Sequence, residues 1–428
     1  MKLPALLLLL TFQSSSFDAL DARIDRNMKA GAIPGAAVVV VKDGAVVHTR
    51  AFGVTSVETA VPVTTRTLFR LGSTTKMFVA LAILQLADAG KLRIEQPVGE
   101  LVPDLAPAVQ RVTIAQLLTH TAGLVDDAPM TGPLDESALH ARVSGWGDSA
   151  FLATPGEVFS YANPGYVLLG DVIAQVTKQP FSAAMQTLVL GPMGMRDSTF
   201  RPLEAMTRPV ALGHDASGVI RPFAEHAGNY PPGSLFTTIE DLGRFLTTLS
   251  PAMLERLAAP RVAIPAQGRS YGYGLIDDRR RGPRLVLHTG ARTGYGSTIL
   301  IAPEQRVAVA VISSRTGAVM SDAAFAGIEP FVTVTEVTPS RTPVPIAPEA
   351  VAEIAGTYVN GPLTVTLADE GGRLVLRLAA RTLPVVPVGV DRFHVPDGAQ
   401  LEQFVIVRDA QGAPKFLCAE TWALRRRN

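Results

Sequence analysis

The sequence predicts a mixed α/β chain of the α+β type, and three observations predict it. Strand-like runs lie near both ends of a large first region. The stretch between them, from about 73 to 250, alternates helical segments with loops rich in Pro and Gly. A proline-rich segment then leads into a tail of strand-like composition. A sheet assembled from the two ends and covered by the intervening helices buries the apolar faces of both.

Taken in order, FDALDARIDRNMKAGAI (17–33) spaces its apolar residues at helical intervals and predicts an amphipathic helix. GAAVVVVKDGAVVHTRAFG follows, with two β-rich runs flanking Lys42-Asp43-Gly44, and Asp-Gly is a strong hairpin turn signal. GYGSTILIAPEQRVAVAVISS (294–314) predicts two strands joined by a short turn, and AVMSDAAFAGIEPFV predicts a helix. TPSRTPVPIAP (338–348) carries four prolines and has little periodicity, as expected of a stiff linker. Beyond it, LTVTL, RLVLRL and FVIVR alternate partially between Gly- and Asp-rich turns and predict a small β domain. The expected organisation is a leader at 1–16, a main domain at 17–337, a linker at 338–349 and a β domain at 350–428.

The N-terminus reads MKLPALLLLLTFQSSS. Lys2 supplies positive charge, Leu3 to Phe12 a short apolar stretch, and Ser14, Ser15 and Ser16 small residues for cleavage. This stretch is too short for a bilayer, which needs about 20 residues, and fits a secretory signal. The chain is therefore expected to be exported, to the periplasm or beyond, with no membrane span in its mature form.

At 428 residues and 47% hydrophobic, the chain is long enough for a real core and for two or three domains. Its formal net charge of +1 gives no electrostatic case for nucleic acid, and Arg425, Arg426 and Arg427 read as a solvated tail. Cys418 is the only cysteine, so no internal disulfide and no Cys-rich metal site can form. With the histidines scattered and no His-Glu-x-x-His run, neither metal nor cofactor is expected.

Chemistry enters at LGSTTKMFVALAILQLADAG (71–90). A helix apolar on every side is normally buried, and burying Lys76 is costly unless something uses it. Residues three apart share a helix face, so Ser73 and Lys76 point the same way, the serine in the first turn. A helix N-terminus offers free N–H groups to a developing oxyanion, and a desolvated lysine can lose its proton and activate a serine. Alone, the pair reads better as an N-cap serine and a snorkelling lysine. Two further segments bear on the choice: PGEVFSYANPGYVLLGDVIAQV, with Tyr161-Ala162-Asn163 ahead of an apolar helix, and LVLHTGARTGYGS, with His288-Thr289-Gly290 ending a β-rich run.

In this order, Ser-x-x-Lys, Tyr-x-Asn and His-x-Gly resemble the active-site motifs of the penicillin-recognising serine hydrolases. The branch they resemble holds class C β-lactamases, D-alanyl-D-alanine carboxypeptidases, D-aminopeptidases and β-lactamase-fold esterases. LLTHTAGL (117–124), GPMGMRDSTF (191–200) and GSLFTTIEDLGRFL (233–246) agree, so the resemblance covers about residues 20 to 330. It implies a β-lactamase/transpeptidase-like antiparallel sheet flanked by helices, an all-helical subdomain, and a small C-terminal β-barrel-like domain. It also implies a small-molecule or peptide substrate, with cell-wall fragments among the candidates.

Carried over by position, Ser73 is the expected nucleophile and Lys76 the group that orients it and shares its proton. Tyr161 is the expected general base and later proton donor, a role that calls for an acidified phenol. Asn163 would bond Lys76 and the substrate. The N–H groups of Ser73 and Ala291 would form the oxyanion hole, and Thr289 and Gly290 would line the docking strand. His288 departs from the lysine usual in class C β-lactamases. As a group half-charged near pH 6.5, it would assist Tyr161 in a pH-dependent way, which counts against an efficient β-lactamase. The expected activity is hydrolysis of an ester or amide, either a D-amino-acid peptide or a carboxylic ester. The alternatives are a β-lactamase and a non-turnover penicillin-binding sensor or adaptor. His120 in LLTHTAGL reads as structural, and the arginines of DDRRRGPR (277–284) as a solvated hairpin tip. No site residue falls in 340–428, so removing that tail is expected to leave chemistry at Ser73 possible.

Overall fold

A computed structural model describes residues 17–127, 131–221, 225–338, 341–378, 381–398 and 401–427. The leader expected at 1–16 lies outside the described residues.

The first sheet has eight antiparallel strands. Their spatial order is Ala45–Gly53, Gly35–Lys42, Val307–Ser313, Tyr295–Ala302, Leu285–Arg292, Ile276–Asp278, Arg269–Tyr271 and Val262–Ile264. The N-terminal hairpin thus meets the late strands directly, Ala36 opposite Ser313 and Lys42 opposite Val307. The strand Gly35–Lys42 is internal, with neighbours on both sides and both faces covered, which explains its unbroken apolar run. Side chains alternate between faces. Ala37, Val39 and Val41 enter one core with Phe78, Leu242 and Phe245. Val38 and Val40 enter the other, with Leu20 and Ile24 of helix Asp18–Gly31 and Ala323, Ala324 and Ile328 of helix Ser321–Ile328.

Residues 72–258 supply the second helical layer and a helical subdomain. Helix Thr75–Asp88 is buried on nearly every side, Lys76 included, as its composition requires. Helix Asn163–Thr177, with a proline in its first turn, packs beside it. Among the described residues, no helix is long and apolar enough to cross a membrane.

The second sheet contains nine antiparallel strands between Gly356 and Arg426. Its two edge strands, Arg381–Pro384 and Val386–Gly389, are separated in the chain by Val385 alone. The edges therefore lie side by side and the sheet nearly closes into a barrel. Alternate residues such as Val365, Leu367, Leu374, Leu376, Phe404 and Leu417 fill it.

Two expectations are corrected here. Arg425 and Arg426 are not a loose tail but part of the last barrel strand, donating to the carbonyls of Leu152 and Ala355. The arginines of 277–284 are not simply solvated. Arg280 pairs with Asp278, and Arg284 bridges Asp277 and Glu255, each aspartate being almost fully buried. Alternation along a short hairpin with buried acids provides these partners, and no run of basic residues reveals it.

Candidate active site

Ser73 sits in a single 3-10 turn, Gly72–Thr74, that runs straight into helix Thr75–Asp88. This turn is pressed against strand Leu285–Arg292, and two glycines permit the approach. Gly72 has φ +62°, and a Cβ there would stand 3.0 Å from the Ala291 nitrogen. A Cβ on Gly290 would come within 2.0 Å of the Leu71 carbonyl oxygen and 3.0 Å of the Ser73 nitrogen. The same contacts therefore hold the backbone N–H groups of Ser73 and Ala291 beside one another. Both residues line a cavity of about 140 Å³ with Asn163, Asn229, Gly233 and Arg292. A larger cleft of about 850 Å³ opens in the helical subdomain against Leu139, His140, Asp171, Phe181 and Tyr230, and holds none of the expected site residues.

Lys76 is fully buried. Its Nζ lies 3.2 Å from Ser73 Oγ, 2.7 Å from Asn163 Oδ1 and 2.9 Å from the Pro232 carbonyl oxygen. The last two only accept hydrogen bonds. A neutral amine donating to both has one lone pair left, and Ser73 Oγ–H is the donor it faces. Burial brings the Lys76 ammonium down to about 7, with Arg292 adding to the fall and Asp126 opposing it. Asp126 fixes the Asn163 amide. It accepts from the Asn163 backbone N–H at 2.9 Å and from Nδ2 at 3.2 Å, which turns Oδ1 toward Lys76. Its own pKa is raised by burial, against the pull of those donors and of Lys76.

Tyr161 enters the same cleft, its ring centroid 4.7 Å from Lys76 Nζ. Its hydroxyl is buried and makes no hydrogen bond at full geometry among the described residues. Ser73 is close enough to draw the phenol's pKa down, yet burial outweighs it and the pKa is raised. An acidified phenol, as the sequence expectation required, is therefore not what this environment produces.

His288 packs against Tyr161, their ring centroids 6.2 Å apart. Its Nδ1 faces the Thr289 carbonyl oxygen at 2.6 Å and its Nε2 faces Tyr271 Oη at 3.1 Å. Tyr271 Oη in turn faces His120 Nε2 at 3.2 Å, and His120 Nδ1 accepts from the Ala162 N–H at 3.2 Å. The two ends fix the tautomer of each ring. A backbone N–H can only donate, so His120 carries its proton on Nε2 and gives it to Tyr271. A carbonyl can only accept, so His288 carries its proton on Nδ1, and its Nε2 takes the Tyr271 hydroxyl proton. Both imidazoles are neutral. Burial holds His288 down to about 3, with Lys76 reinforcing the effect, and holds His120 well below its ordinary value. The expected half-charged His288 is corrected on this ground: desolvation and a nearby ammonium both oppose its protonation.

The structure thus brings Ser73, Lys76, Asn163, Tyr161 and Ala291 to one cleft, with Gly290 at its wall and His288 and the Thr289 carbonyl one layer behind. Sequence reasoning missed Asp126, Tyr271 and the role of His120 as a partner of that layer. The ring of His120 lies 4.1 Å from that of Tyr161, and the residue holds φ +56°, an unusual backbone for a residue with a side chain. It also missed Arg292, which bonds Glu225 at 2.9 Å beside a second buried guanidinium, Arg70.

An antiparallel sheet covered on both faces, with a serine at the head of a buried helix and a buried lysine one turn on, defines the architecture of the penicillin-recognising serine hydrolases. Residues 20–327 match the family model described as Beta-lactamase, and the chain belongs to that family. Its members are generally serine hydrolases. The chain is 29% identical over 313 residues to Penicillin-binding protein 4 of Amycolatopsis lactamdurans, covering 66% of this chain and 81% of that protein. It is 26% identical over 319 residues to Protein flp of Staphylococcus aureus (strain NCTC 8325 / PS 47), spanning 70% of this chain and 64% of that protein's length. Among solved structures, SurE with D-Leu superposes with a TM-score of 0.76 at 25% identity, over 96% of this chain and 99% of that one.

Proposed function

We propose that the protein is an exported serine hydrolase that cleaves an ester or amide through an acyl-enzyme on Ser73, without a cofactor. The observation that carries this reading is the Lys76 amine, whose two acceptor-only partners leave its lone pair to Ser73 Oγ. Neutral Lys76 takes the Ser73 proton as Oγ bonds to the acyl carbon. The resulting oxyanion is held by the N–H groups of Ser73 and Ala291. On collapse the leaving group takes the Tyr161 hydroxyl proton, and Lys76 returns one to Tyr161. Water then attacks the acyl-enzyme, its proton passing back to Ser73 Oγ through the same groups. Tyr161 acts here as a protonated relay, consistent with its raised pKa. Asn163 orients Lys76, Gly290 and Thr289 offer for docking the stretch of strand Leu285–Arg292 that lies beyond its ladder with Ile276–Asp278, and neutral His288 packs against Tyr161.

The substrate proposed is a D-amino-acid peptide or a carboxylic ester. The likeness to SurE, solved with D-Leu, supports the first. Parent and Ser73→Ala proteins incubated with nitrophenyl esters, D-Ala-D-Ala peptides and a chromogenic cephalosporin test the reading by turnover and intact mass. Turnover of an ester or peptide, lowered at least about 10³-fold in Ser73→Ala, is expected. A stable adduct without release identifies a sensor instead, and cephalosporin as the best substrate identifies a β-lactamase.

A further inference from the structure

We infer that the C-terminal barrel is a positioning element for Tyr161, so that the acylation site is complete only when the barrel is docked. The inference rests on the proposed serine chemistry and concerns what holds its proton relay in place. The segment 152–162 that delivers Tyr161 forms no helix and no strand ladder, so its backbone groups must find partners elsewhere. One of those partners belongs to the barrel turn at Glu420–Thr421, and the strand that follows the turn adds a bond to a side chain of the segment. The Tyr161 N–H donates to the Thr421 carbonyl at 2.8 Å, and the Ala423 N–H donates to Ser160 Oγ at 3.2 Å. On the other side, Ser160 N–H donates to the His120 carbonyl at 2.9 Å. The Tyr161 segment is therefore clamped between the His120 loop and the barrel.

The clamp has an apolar seal. Leu152, Ala153 and Val158 share a buried cluster with Val405, Phe416, Cys418 and Ala423 of the barrel, and Lys415 pairs with Glu157 at its edge. The barrel also touches the neighbouring segment, since a Cβ on Gly361 would stand 2.9 Å from Val125, next to Asp126. One domain thus bears on two of the loops that shape the cleft. Separating it strands the Tyr161 N–H without its acceptor and exposes the seal, leaving the segment free to move. This reverses the expectation that residues 340–428 are dispensable for chemistry at Ser73.

Cys418, the only cysteine, is 2% exposed within the seal and reports on docking through its reactivity. The experiment uses the full chain carrying Phe416→Ala, which thins the seal. A chromogenic thiol reagent reads docking, and the acylation burst from nitrophenyl acetate reads the site. The expected result is faster labelling of Cys418 with acylation lowered at least tenfold and KM changed less than threefold. In a Tyr161→Phe background the same substitution should cost less than a further twofold, because the phenol it acts through is already gone. Acylation within twofold of the parent overturns the inference, as does a loss with unchanged thiol labelling or one that multiplies fully with Tyr161→Phe. Should Phe416→Ala fail to fold, Lys415→Glu is expected to lower acylation, and Glu157→Lys added to it to restore acylation. No loss, or no restoration, overturns the inference. A parent chain without any Ser73-dependent burst sinks the hydrolase reading instead, while thiol labelling still reports docking.

Discussion

The two walls of the cleft are built by different means. The Ser73–Lys76 wall is regular: a turn and a helix packed on a sheet, with both chemical groups one turn apart in the chain. The Tyr161 wall is irregular, and its order comes from groups far away in sequence, including His120, Tyr271 and Thr421. Local periodicity positions the nucleophile, and long-range hydrogen bonds position the relay. The first wall should fail when its close packing is opened. The second should fail when a distant partner is removed.

The largest effect expected is on the regular wall. Gly290→Ala places a Cβ against the Leu71 carbonyl and Ser297 Oγ, and neither the backbone nor a fully buried serine has room to yield. Relief requires the Ser73 turn to draw away from the strand, separating the two N–H groups that face the oxyanion. Loss of such a donor costs about 10²–10³ in kcat. Steady-state kinetics with a nitrophenyl ester should show that fall with a smaller change in KM, and a fall under threefold would uncouple the close approach from the oxyanion site.

A smaller effect, with a sign that can be worked out, tests the junction of the walls. Activity that needs neutral Lys76 rises with pH through the lysine's pKa of about 7. Asp126 raises that pKa and Arg292 lowers it. Asp126→Asn should therefore move the rising limb of kcat/KM to lower pH, by about one unit, and Arg292→Gln should move it to higher pH. Asp126→Asn also loosens Asn163, costing about tenfold at the plateau, the size of one lost charged hydrogen bond. Limbs moving in the same direction in both variants would remove Lys76 as the titrating group.

The same contrast decides what the sequence reveals. Ser73 and Lys76 are readable because an all-apolar helix with one lysine states both its burial and its anomaly. The middle of the first sheet is readable because GAAVVVVK and its partner Val307–Ser313 are apolar almost throughout, as strands covered on both faces must be, whereas the short strands between Val262 and Asp278 carry no such run. Asp126 is different: a carboxylate in LVDD reads as a solvated loop acid, and only the fold brings it to Asn163. Tyr271 reads as a strand aromatic, and nothing near it in the chain points to two histidines. The sequence points to His288 but not to its charge state, because desolvation depends on neighbours that no local pattern encodes. The contact of Thr421 with Tyr161 joins main-chain atoms, so side-chain identity carries no sign of it.

The smallest effect on rate belongs to Tyr271→Phe, although its effect on stability is plain. The hydroxyl accepts from His120 and donates to His288, and phenylalanine leaves both imidazole nitrogens buried without a partner. Each such group costs about 1–3 kcal/mol, so the variant should melt several degrees below the parent. The nucleophile keeps its lysine, and turnover should fall only about two- to fivefold, the cost of loosening the rings packed on Tyr161. The limb near pH 7 should stay where it is, because neither histidine carries the titrating proton. Thermal melting and a pH profile on the same preparation check both halves. A displaced limb would make the imidazole pair part of the proton path, and an unchanged melting temperature would mean that Tyr271 bridges nothing.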